Sequence, residues 1–270
     1  MKLSALGVAL ALIAGPTLAV ADDLDDALAA LKQAEPSKDP VKIKELVAAL
    51  HAVALKTEAP PTPDVTDKDA YDARAKYAKE VDTRGEYALF ALAAGSAPAT
   101  ALDLIAALEK QNPKSQYLDE PEILAFQADS ALSKNQLDRA LGFANRLIAA
   151  GNRKAPEGEA AASWETRRNT ALSRGYWTAG VIQGQKQLFK DADRNLRAAL
   201  PLIKGNNAMM GPALFFLGVA NYNIAKITLN KAKMQEAAKF SQECAAIAGP
   251  YQDQAYKNAL NIKKEADAMR

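Results

Sequence analysis

With one cysteine and one histidine in 270 residues, the chain has neither an internal disulfide nor the clustered ligands of a zinc site. Cys244 has no second thiol to pair with, so stability has to come from burial. Strand signals are almost missing too, since no convincing run alternates β-branched with polar residues. Charge of one sign is not in excess. Removal of an N-terminal leader would take Lys2 away and leave 33 basic residues facing 32 acidic ones. That balance excludes an electrostatic nucleic-acid binder, which needs clustered Lys and Arg, and gives no attraction to an anionic membrane surface.

The leader itself is the most informative stretch. Lys2 forms a short positive region, Leu3 to Ala14 is an apolar run, Gly15 and Pro16 break the helix, and Ala19-Val20-Ala21 presents small residues where a signal peptidase cuts. About 12 apolar residues fall well short of the roughly 20 that span a bilayer. The expectation is a signal peptide over 1–21, cleaved between Ala21 and Asp22, and a periplasmic or secreted mature protein. No cysteine at the cleavage site offers a lipid anchor.

What remains is rich in alanine, with apolar residues at three- and four-residue spacings nearly throughout, so the chain is read as all-α. The spacing predicts helices near 22–34, 41–57, 66–95, 97–111, 120–134, 136–150, 158–186, 189–203, 208–227, 231–248 and 251–269. Residues 22–57 form an N-terminal helical hairpin. The Pro-rich segment 58–65, with three prolines in four positions, cannot continue a helix and is the expected boundary before a domain over 66–270. Short turns between successive helices require antiparallel packing.

Internal spacing adds specificity. Gly180 and Ala192 are twelve residues apart, with Tyr176 four before the first and Leu196 four after the second; Ala128 and Ala140 repeat that interval. A third unit starts at Leu214, Leu217 and Gly218 and ends at Ala238, Ala245 and Pro250, with about eight extra residues that predict a lengthened hairpin. A poorer fourth ends with Ala101, Ile105, Leu108 and Pro113. These residues resemble the tetratricopeptide repeat (TPR) family over roughly 85–250. The likeness departs from the family pattern at Gln183, where an aromatic is usual, and at Lys204, where the closing proline would stand. The turn Asn112-Pro-Lys-Ser-Gln-Tyr117 is similar to inter-repeat turns of bacterial envelope repeat proteins.

The resemblance implies a right-handed solenoid of antiparallel helical hairpins whose first helices line a concave peptide-binding face. Carried over position by position, that face holds Asp129 and Ser133, then Arg174, Trp177 and Gln185, then Phe215, Tyr222 and Asn223. It implies a protein or peptide partner, of the cell envelope given the leader. The lysine-and-asparagine clamp of some family members is not apparent here.

Other chemistry is weak. His51 lies on the apolar Val47, Leu50, Ala54 face and reads as structural. Cys244 reads as a packing residue. Gly180-Val-Ile-Gln-Gly184 lacks the strand and the Gly-Lys ending of a phosphate loop. Asp22, Asp23, Asp25 and Asp26 read as a solvated first turn, and Arg167 and Arg168 as an exposed helix face. The sequence thus points to a non-enzymatic scaffold without cofactor or metal. Alternatives are a small-molecule or enzymatic pocket between long helices, and a homo-oligomer paired through helix 251–269.

Overall fold

The structure, a computed structural model, describes residues 18–59 and 68–269, with side chains from Asp23 onward. Every regular element among them is helical. Residues 1–17 of the leader expected over 1–21 lie outside this description, as does most of the 58–65 segment; the backbone across the expected Ala21–Asp22 cleavage site is described and lies within a helix, Leu18–Ala34.

The chain divides into two compact units, residues 1–113 and 114–270. The first contains α1 (Leu18–Ala34), α2 (Pro40–Glu58), α3 (Lys68–Ala94) and α4 (Pro98–Gln111). Pro40 and Pro98 stand at the starts of α2 and α4, where the missing N–H costs no intrahelical bond. Asp39 caps α2 by accepting from the Val41 and Lys42 amides at 3.0 and 3.3 Å. The Pro-rich segment does not separate the units. The helices on either side of it, α2 and α3, are packed together in the first, and Gly85 is their point of contact. A Cβ there would lie 3.2 Å from Leu50 and 3.3 Å from Val47.

The second unit contains α5 (Pro121–Ser133), α6 (Leu137–Gly151), α7 (Ala161–Gln185), α8 (Phe189–Ala199), α9 (Asn207–Thr228), α10 (Lys231–Ala245) and α11 (Gln252–Ala268). Its logic is legible from which residues meet. Gly175 of α7 faces Ala144 and Ile148 of α6, whereas Gly151 faces Leu172 and Arg168; numbers that rise along one helix fall along the other, so the two are antiparallel. In the same way Gly180 meets Leu196, and Gln183 meets Asn195. Between α5 and α7 the offset is constant instead. Glu122 pairs with Arg167 and Asp129 with Arg174, each 45 residues on, so these helices run parallel. Trp177 with Met209 and Gly184 with Phe216 give the same result for α7 and α9.

One turn occurs three times. After α5, α7 and α9 the chain places a single residue in the left-handed region: Asn135 (φ 54°), Gln187 (φ 60°) and Leu229 (φ 52°). The next amide then bonds a carbonyl five residues back, Gln136 to Ala131, Leu188 to Gln183 and Asn230 to Ala225, at 2.8, 2.8 and 3.1 Å. This is a Schellman closure. Since the third turn shares this closure and contains no extra residue, the α9–α10 hairpin is not lengthened there. Its closest approach merely lies one turn further back, at Gly218, where a Cβ would come within 2.6 Å of the Ser241 hydroxyl oxygen.

The last half of α7 is the innermost stretch, with Thr178 through Gly184 all buried. Ile182 belongs to the core formed with α5 and α6, and Val181 to the one formed with α8, α9 and α10. The small residue expected at position 180 is required, but its neighbour is Leu196 rather than Ala192 itself: a Cβ would stand 2.5 Å from Leu196 Cγ and 3.1 Å from its backbone nitrogen.

Gly180→Leu is therefore expected to lose about 1–3 kcal/mol by overpacking, read from urea unfolding; an unchanged midpoint would remove the α7–α8 register. Leu229, bulky, solvent-exposed and left-handed, carries about 1–2 kcal/mol of strain. Leu229→Gly should recover part of it, raising stability by about 0.5–1 kcal/mol after glycine's extra chain entropy.

Candidate binding surface

The residues expected to form a peptide groove are all placed, and several are engaged within the fold. Asp129 on α5 and Arg174 on α7 form an ion pair. Ser133 and Gln185 are exposed near the ends of α5 and α7, the serine hydroxyl donating back to the Ser130 carbonyl. Trp177 is half-buried, and its Nε1 donates to the Met209 carbonyl at 2.8 Å, which ties α7 to α9. Phe215 stacks on Tyr251 with ring centres 4.5 Å apart and meets Phe216 edge-on. The Tyr222 hydroxyl reaches Glu265 of α11 at 3.1 Å; burial and this bond raise its pKa. Asn223 donates to its own helix at Val219. The aromatics thus hold helices to one another, and Asp129, Ser133, Arg174 and Gln185 remain as the solvent-facing row.

Arg167 and Arg168 differ from the exposed face expected of them. Arg167 is half-buried and fixed by three carboxylates, Glu120 at 2.6 Å, Glu122 at 2.8 Å and Glu159 at 3.1 Å. Its hydrogen bond to Glu122, above all, raises its pKa further. Arg168 bonds the Gly151 carbonyl and pairs with Glu165. His51 sits at the edge of the α2 stripe with Nδ1 2.9 Å from Asp82, which also accepts from the Gln111 amide at 3.0 Å. Asp23, Asp25 and Asp26 are exposed, as expected, but α1 begins at Leu18 and they lie past its first turn; Asp25 accepts from the Tyr77 hydroxyl at 2.5 Å, which pushes the phenol up to about 12. Cys244 is buried and its thiol donates to the Gly211 carbonyl at 3.3 Å; burial pushes it up to about 11, so it is a weak nucleophile at neutral pH.

The polar centre of the second unit is Asn221, which sequence reasoning passed over for Tyr222 and Asn223. It is fully buried in an apolar stretch of α9. Its oxygen accepts from Arg197 at 3.1 Å and Lys233 at 2.9 Å; its nitrogen donates to Asp193 at 2.6 Å and to the Leu217 carbonyl at 2.9 Å. Arg197 and Lys233 in turn hold Glu236, so two cations balance two anions across α8, α9 and α10. The signal was available: Leu214, Leu217, Asn221 and Ala225 fall on one helical face, and that face is the buried one.

Among the described residues, no three His, Cys, Asp or Glu side chains converge as a metal site. One described helix, α9, is long and apolar enough to cross a membrane, but it packs on α7, α8, α10 and α11 as a core helix. No family model, curated protein or solved structure matches the chain.

Arg197, above all, lowers the pKa of Glu236 below its ordinary value of 4.5, against the opposing effect of burial. A depressed acid contributes stability above its unfolded pKa and loses it as pH falls through the folded one. Glu236→Gln should therefore be less stable than wild type at pH 7, with the gap closing as pH drops below the ordinary carboxylate range. Urea titrations at pH 7 and pH 3 compare the two.

Proposed function

We propose that the chain is an exported, non-enzymatic scaffold that holds a segment of a partner protein in the bacterial cell envelope. In this reading the second unit is a TPR-like right-handed solenoid, with α5, α7 and α9 as the first helices of its hairpins. The observation that carries it is the recurrence of one closure, three Schellman turns after alternate helices, together with the parallel stacking of α5 on α7 and of α7 on α9. A hairpin that repeats its turn and stacks in register builds an extended surface from equivalent positions. The leader over 1–21 is the support for export.

The side chains offered to a partner on this reading are polar. Asp129, Ser133, Arg174 and Gln185 supply carboxylate, hydroxyl, guanidinium and amide groups along the edge of α5 and α7, a set suited to the backbone and side chains of an extended peptide. Trp177 ties α7 to α9, Phe215 of α9 packs on Tyr251, and Tyr222 ties α9 to α11.

A photo-crosslinking amino acid at Ser133 or Gln185, in cells of the source organism, is expected to trap one discrete envelope protein. The same probe at Lys190 or Arg194, exposed on α8, should not trap it. Equal products from both faces, or none from either, would overturn the scaffold reading. A product of twice the chain's own mass would move it to the homo-oligomer.

A further inference from the structure

The first unit contains a cleft that the scaffold reading leaves unused. It has a volume of about 220 Å³ and is lined by Glu35 and Lys38 from the α1–α2 turn, Ile43 of α2, and Arg84, Tyr87, Ala88, Ala91, Leu92 and Gly95 at the end of α3. Its floor is apolar, with Ile43 and Ala88 buried. Its lining includes three charged side chains, Glu35, Lys38 and Arg84. Glu35 receives Arg84 through a single nitrogen: Nη2 lies 2.6 Å from Oε1 and donates to Oε2 at 2.7 Å. That geometry leaves Nη1 and Nε of the guanidinium as further donors. The guanidinium is held 5.1 Å from the Tyr87 ring centre, so its plane is positioned before anything binds. Lys38 adds a second cation against the one carboxylate.

The backbone beneath Lys38 is fixed as well. Lys38 is left-handed at φ 52°, its amide bonded to the Glu35 carbonyl at 3.1 Å, with Ser37 bonded back to Ala34 at 2.7 Å and Asp39 capping α2. Glycine would take that conformation without strain but would bring no ammonium to the cleft.

We infer that this cleft binds a small monocarboxylate with an apolar body. Its carboxylate would lie between Arg84 and Lys38, and its aryl or alkyl portion over Ile43, Ala88, Ala91 and Leu92 beside Tyr87. One excess positive charge selects a monoanion, and the planar donor pair of arginine fits a carboxylate's two oxygens. The apolar floor provides the burial that a fragment-sized ligand needs.

The test uses the whole chain, with phenylacetate as the probe and phenylacetamide as its neutral isostere. In amide NMR titrations phenylacetate should give saturable shifts confined to residues near 35–43 and 84–95, and bind at least tenfold more tightly than phenylacetamide. Lys38→Gly should raise the melting temperature while weakening phenylacetate severalfold, opposite signs that a merely structural lysine would not produce. Arg84→Lys, which keeps the charge but loses the planar fork, should weaken phenylacetate while the variant remains folded by circular dichroism. Equal binding of acid and amide, shifts scattered beyond these residues, or no saturation at 20-fold excess over a millimolar range would overturn the assignment. None of these outcomes bears on crosslinking from Ser133 or Gln185, so the two proposals fail separately.

Discussion

The second unit depends on how closely helices can approach α7. At Gly175, Gly180 and Gly184 the space a Cβ would need is already taken by Ile148, Leu196 and Phe216, so α6, α8 and α9 each reach this helix through a missing side chain. Close backbone approach brings many weak dispersion contacts into range at once, and the interior has no slack with which to absorb added volume. With seven consecutive residues buried from 178 to 184, α7 has no solvent face over that stretch, and exposure returns only at its last residue, Gln185. The cores on its two sides share it as a common wall.

Polar groups inside this packing are permitted because they are matched. Asn221 uses both amide ends, and Arg197, Lys233, Asp193 and Glu236 neutralise one another around it. The charged groups are partly exposed and only Asn221 is buried, so the network serves to match the Asn221 amide more than to add strongly coupled ion pairs. Sliding α9 by one residue would take Asn221 away from Arg197, Lys233 and Asp193 and leave its buried amide unmatched, whereas the four charged groups, all on α8 and α10, would keep one another.

The helices were legible in the sequence because their boundaries are written in local chemistry: prolines at the starts of α2, α4 and α5, asparagine caps before α9 and α10, and apolar spacing between. All eleven expected helices are present, most with ends within three residues. The prolines of 58–65 misled as a boundary because the end of a helix says nothing about packing across the segment that follows; Gly85 is what allows α3 against α2. The groove residues were located, but their employment was not. Whether Trp177 or Phe215 faces a ligand or a neighbouring helix depends on partners far along the chain, Met209 and Tyr251, and no local pattern encodes those. Arg167 needed Glu120, Glu122 and Glu159 to be seen together for the same reason, and the cleft at Arg84 exists only once the α1–α2 turn has been brought against the end of α3.

The three Schellman turns are of one length, whereas the returns that lead into α7, α9 and α11 differ, spanning residues 152–160, 200–206 and 246–251. A closure with its own hydrogen bonds admits no extra residue without breaking them. The returning loops have no such fixed pattern, and in the first of them Gly158 stands in open space. New sequence or a fused tag would thus be accommodated at 152–160 sooner than at any of the three tight closures.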